Sequence, residues 1–124
     1  MTFLDAAAAL ALVTFLVHWL VGGRHASRPL LAAPGLPEAS RWLNYFCWHI
    51  VTIHLLVMAA ALACVAQGLL DADVARLVAI MAAAIALLSL AVTLRAGIRP
   101  WRLPASYLLA GVATLSWLGA RGQA

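Results

Sequence analysis

Apolar positions along this chain fall into four long runs, at residues 3–22, 42–66, 74–94 and 101–118, and nearly all charged residues lie between the runs or at their edges. Crossing the hydrocarbon core of a bilayer takes about 20 predominantly apolar helical residues, within a range of roughly 17 to 25. The pattern predicts an all-α integral membrane protein, with four transmembrane helices in an up-down antiparallel bundle. A single four-helix domain then spans residues 1–124. The first run is expected to stop at Gly22-Gly23-Arg24. The connection that follows, residues 23–41, holds Pro29, Pro34, Gly35 and Pro37, so it cannot be one helix. Pro37-Glu38 has the form of a helix start: proline early, then a carboxylate near the positive end of the dipole. The connections at 67–73 and 95–100 are short and force their flanking helices to be antiparallel neighbours.

Composition agrees. Hydrophobic residues make up 66% of the 124 and charged residues 10%, whereas a soluble domain is closer to half and a quarter. All eight cations are arginine; with abundant alanine, this fits a GC-rich bacterial genome. A pI near 10.1 would suggest nucleic acid in a soluble protein. Here the cations are loop arginines, and the partner they imply is the lipid bilayer with its anionic headgroups, not nucleic acid. The N-terminal run has Asp5 as its only charge and no basic segment ahead of it, so it reads as a retained span rather than a signal peptide.

Arginine placement orients the bundle. Arg24, Arg28, Arg41, Arg95, Arg99 and Arg102 lie in or beside the first and third connections, against Arg76 and Arg121 on the other side. The positive-inside rule then puts those two connections in the cytoplasm and both termini in the periplasm of a bacterial inner membrane. Trp19, Trp42 and Trp101 fall at the cytoplasmic interface and Trp117 near the other, as an aromatic belt requires.

Small and polar residues mark the faces on which helices can approach. The stripes are Ala7, Ala11, Thr14 and His18 on the first helix; Tyr45, His49, Thr52, Ala59 and Ala63 on the second; Ala82, Ala86, Ser89 and Thr93 on the third; and Ser106, Ala110 and Ala113 on the fourth. A second stripe on the second helix, Asn44, Cys47, His54 and Met58, predicts a central position for it.

Histidines within spans are the main chemical signal, since an ionisable group in hydrocarbon is a functional candidate by default. A neutral imidazole bonded to a neighbouring helix is the structural alternative. Counted from the cytoplasmic ends at 1.5 Å per residue, His18 lies about 6 Å deep, His49 about 10 Å and His54 about 18 Å. The depths of His18 and His49 suit a shared b-type haem, its axial ligands those two imidazoles, with Arg24, Arg28 or Arg41 at the propionates and Tyr45, Trp19 and Trp48 along the ring. A metal set of His49, His54, Cys47 and Met58 is a weaker alternative, because His54 points roughly 140° from His49 and a full set of about four ligands is missing. His25 falls in the loop or on a last turn. Cys47 and Cys64 are about 25 Å apart on one helix, beyond disulfide reach.

Several classes are excluded. Small multidrug transporters have the same length and span number, but their coupling needs a glutamate embedded in the first helix, where this chain has only Asp5 at the edge. No phosphate-binding loop, serine nucleophile motif or Cys-x-x-Cys pair is present. The leading expectation is a non-enzymatic accessory or helix-interaction component, working as a homo-oligomer or within a larger membrane complex. The alternatives are the haem-binding electron carrier and a membrane metal-handling protein.

Overall fold

The computed structural model describes residues 2–122, and every regular element among them is helical. The elements are α1 (Phe3–Leu16), a π-helical stretch (Val17–Ser27), α2 (Arg28–Ala32), α3 (Glu38–Ala66), α4 (Ala72–Arg95), a 3₁₀ turn (Pro100–Arg102) and α5 (Ala105–Arg121). The first three are continuous, giving one 30-residue rod, Phe3–Ala32. That rod, α3 and α4 are each long and apolar enough to cross a membrane. With 17 residues, α5 is about 26 Å long.

Local chemistry sets most boundaries. Thr2 and Asp5 form a capping box at the start of α1: the Asp5 backbone N–H donates to Thr2 Oγ1 (3.2 Å) and the Thr2 backbone N–H donates to Asp5 Oδ2 (2.7 Å). At the end of α3, Gly68 has φ +71°, Leu69 N–H donates to Cys64 O (2.9 Å) and Gly68 N–H to Val65 O (3.0 Å). Gly97, at φ +67°, repeats this after α4, with Ile98 N–H on Thr93 O (3.0 Å). Both are Schellman closures, which need a residue in the left-handed region, and glycine takes it without strain.

The first connection is much shorter than the sequence suggests. Helix continues through Gly22-Gly23 and ends at Ala32, leaving only residues 33–37 irregular. Two features allow this. From Val17 to Ser27 the backbone turns are widened, as in the Arg28 N–H to Gly23 O bond. Pro29 then follows inside the rod, where these wider turns shift the carbonyl four residues back that its ring would otherwise meet. Ala33, forced extended by Pro34, breaks the rod (φ −69°, ψ 112°). Pro37 is the N-cap of α3 and Glu38 lies in its first turn.

The core is built from small residues. Alanine is the commonest buried apolar residue, including Ala7, Ala11, Ala75, Ala82 and Ala120, each 2% exposed or less. Long apolar side chains instead point outward, among them Ile53, Leu77 and Leu87, each more than half exposed. α1 packs against both α3 and α5, and α5 against α4, while α3 and α4 touch over a smaller area. The centre therefore belongs to α1 and α5, not to the second long helix as its two stripes suggest. Glycine makes this possible. A Cβ on Gly119 would lie 2.7 Å from Leu4 Cγ, and one on Gly111 would lie 2.8 Å from Leu10 Cδ2. The same contacts show that α1 and α5 run in opposite directions.

The polar stripes are largely internal. Thr14, Thr52 and Thr93 are buried, and each hydroxyl donates to the carbonyl four residues earlier, on Leu10, Trp48 and Ser89. These bonds lie within one helix, so threonine is satisfied without linking neighbours. A bond between two side chains does cross, Ser106 Oγ to Ser89 Oγ at 3.0 Å, between α5 and α4. Ala110 departs from its stripe and is exposed.

Candidate functional site

The principal cavity, about 730 Å³, lies where the π-helical stretch, α3, the end of α4 and the start of α5 meet. It opens because α3 and α4 make limited contact. Most of its wall is aliphatic, with Val51, Leu55, Ile85 and Leu109 among the contributors. Its ionisable groups are His18 and His25 from the π-helical stretch, His54 from α3 and Arg102 from the α4–α5 connection, and Thr14 and Trp48 also line it. Such a volume is within the range of small-molecule sites, which are mostly apolar with a few polar groups.

His18 is held by Trp48. Their rings stack with centroids 3.9 Å apart and planes 16° from parallel, and His18 Nε2 lies 3.4 Å from Trp48 O. Gly22 completes this contact, since a Cβ there would fall 2.5 Å from Trp48 Cη2. π-Helical turns are rare and frequently occur at functional sites; here the widened segment brings His18, Gly22 and His25 to one wall of the cavity.

His54 also lines the cavity, but its Nε2 is sealed from the surface and has no hydrogen-bond partner among the described residues. The same holds for Arg41 Nε and Ser116 Oγ. Unpaired buried polar atoms are costly, which marks these three positions as energetically unresolved within one chain.

The sequence-derived sets are distributed differently. His49 does not line the cavity; its ring meets Tyr45 edge-on, centroids 4.4 Å apart, and Tyr45 in turn meets Trp42 at 5.9 Å. His18 therefore shares the cavity with His25 and His54, not with His49. Arg24 and Arg28 are exposed and Arg41 is half-buried; none of them lines the cavity. The His49, His54, Cys47 and Met58 set is not assembled: Cys47 is exposed, Met58 is 3% exposed in the helical core, and the two are 11 residues apart, about 16 Å along α3. Among the described residues no group of three or more His, Cys, Asp or Glu side chains is placed to hold a metal ion. His25, expected in a loop or last turn, lies within the π-helical stretch and is exposed.

Sequence reasoning missed Arg102 as a cavity residue and missed Gly22, Gly111 and Gly119 as packing residues. The glycines carried a signal, since Gly111 and Gly119 are eight residues apart and fall on one helical face. Compared with protein-family models, curated proteins and solved structures, the chain matches none of them.

Proposed function

We propose that this is a small four-span protein of a bacterial inner membrane that works by holding other membrane components rather than by converting a substrate. Its four rods alternate in direction as an up-down bundle, with both termini periplasmic. The observation that carries this reading is the distribution of side-chain size: alanine is the commonest buried apolar residue, and although Leu4, Leu62, Val65 and Val112 are buried with it, most leucine, isoleucine and valine side chains face outward. In lipid nothing drives large apolar groups inward, and small residues let helices approach closely. In water the same exterior would be a vast apolar patch. Orientation is supported by the cavity, which has His25 from the first arginine-bearing connection's side and Arg102 from the other. Six arginines then share one end.

Contact with other helices is supported by α3. Leu43, Phe46, Ile50, Ile53 and Val57 recur at spacings of three and four and are all exposed, a seam suited to another transmembrane helix in a homo-oligomer or larger complex. The test is cysteine crosslinking in native membranes, with Ile53→Cys in a Cys47→Ala, Cys64→Ala background. A crosslinked dimer or a discrete larger adduct is expected. Monomer alone at positions 46, 50, 53 and 57 overturns the interaction reading. Release of the protein by alkaline carbonate overturns membrane insertion.

A further inference from the structure

We infer that the cavity between the π-helical stretch, α3 and α5 binds an anionic amphiphile, with its acidic head at Arg102 and its acyl chain inside. This rests on the membrane reading above but not on the helix-contact reading. Three observations combine. The cavity is large, about 730 Å³, and its deeper wall is hydrocarbon from Val51, Leu55, Ile85 and Leu109. Its wall along α3, from Trp48 to Leu55, is about 10 Å long, enough to cover a substantial length of acyl chain. Arg102 stands in its lining with no ion-pair partner among the described residues, where the sole such pair is Arg76 with Asp73.

Charge selects the sign of the head. None of the four acidic residues lines the cavity, so nothing there neutralises Arg102. A guanidinium offers a planar fork of donors suited to carboxylate or phosphate. His25 adds a polar ring to the lining from the opposite wall. Arg102 is the one fixed cation in the lining, beside a mostly aliphatic wall, and a neutral hydrocarbon would leave it unused. His54 Nε2 is sealed from the surface, so the His54 ring contributes wall rather than a hydrogen bond to the guest. The head is either a free fatty acid or the phosphate of an anionic phospholipid whose chain enters the cavity; both present an acid on an acyl chain.

Trp48 supplies the readout, because it lines the cavity. The full-length chain, with Trp19, Trp42, Trp101 and Trp117 replaced by phenylalanine, is placed in phosphatidylcholine nanodiscs. Quenching is then followed with 12-bromododecanoate and with 12-bromododecanol, at equal mole fraction in the bilayer. The acid is expected to quench at about fivefold lower concentration, the worth of roughly 1 kcal/mol for one arginine near an anionic surface. Arg102→Gln should reduce that preference to less than twofold, and Arg95→Gln, outside the cavity, should leave it unchanged. Equal quenching by acid and alcohol in the unsubstituted cavity, with none by bromine-labelled phosphatidylglycerol, overturns the proposal without any variant. So does a preference lost equally in both arginine variants, which reports surface charge alone. Bromine-labelled phosphatidylglycerol forms a third arm: quenching by it alone assigns the head to a membrane phospholipid, and quenching by the dodecanoate assigns it to a free acid. A haem absorption band that vanishes in His54→Phe also overturns the proposal.

Discussion

The His18 imidazole lies flat against the Trp48 indole, 3.9 Å between centroids, and joins the first rod to α3 by ring stacking and a 3.4 Å approach of Nε2 to the Trp48 carbonyl. This is a cross-helix polar contact within the apolar spans, made by the residue that the sequence singles out as the first-helix candidate. Whatever else His18 does, it links the widened segment to its neighbour.

Stacked aromatic pairs contribute about 1 kcal/mol beyond burial. His18→Ala should therefore destabilise the protein in detergent by about that amount. His18→Phe, which keeps a ring but loses the nitrogen, should cost less. Thermal melts of the three proteins check the order; equal melting of the alanine and phenylalanine variants would mean the nitrogen, not the ring, carries the contact.

Gly22 tests the same junction from the other side. A Cβ there would meet Trp48 Cη2 at 2.5 Å, and overpacking of this kind costs about 1–3 kcal/mol. Gly22→Ala should lower the melting temperature, and adding Trp48→Phe should restore part of the loss. No recovery in the double variant would show that the cost arises in the π-helical backbone instead.

At the α1–α5 contact the obstacle is stiffer. Gly119 faces both the Leu4 side chain and its backbone nitrogen, at 2.7 Å and 3.1 Å from an added Cβ. Gly119→Val should weaken the pair by more than Gly122→Val, where the nearest atom would be 3.6 Å away. Comparative unfolding in sodium dodecyl sulfate reads the difference, and matched midpoints would contradict the close approach.

Ser106 and Ser89 join α5 to α4 at 3.0 Å. Bonds of this kind in membrane proteins are worth about 0.6 kcal/mol by double-mutant cycles. A cycle over Ser106→Ala and Ser89→Ala should return a coupling of that size; zero coupling would remove the bond from the account.

Cys47 reports on the solvent. It is exposed on α3, nine residues beyond Glu38, where the helix begins. In intact membranes a charged maleimide should leave Cys47 unmodified, while the same reagent should react once the protein is unfolded in sodium dodecyl sulfate. Rapid labelling in intact membranes would place this face in water.

Helix identity was legible from residue order alone, because apolar runs of about 20 residues have the length and composition of membrane-crossing helices, and three of the helices observed are long and apolar enough for that. The ends of α3 and α4 were legible from the limits of their apolar runs, at Ala66 and Leu94, whereas the first rod ends at Ala32, ahead of Pro34, and not at the expected stop. Most of the interior stripes were legible too, since 3.6-residue periodicity follows from the helix itself. Tertiary contact decided the rest. Gly22-Gly23 reads as a stop, yet the rod continues through it, because the Trp48 ring packs where a Cβ would lie. The choice of His54 over His49 as cavity neighbour of His18 depends on how α3 is rotated against α1. So does the presence of Arg102, which is 77 positions beyond His25 in the chain. Spacing along one helix fixes which residues share its face; it carries no record of which face a second helix, packed by close fit, will cover.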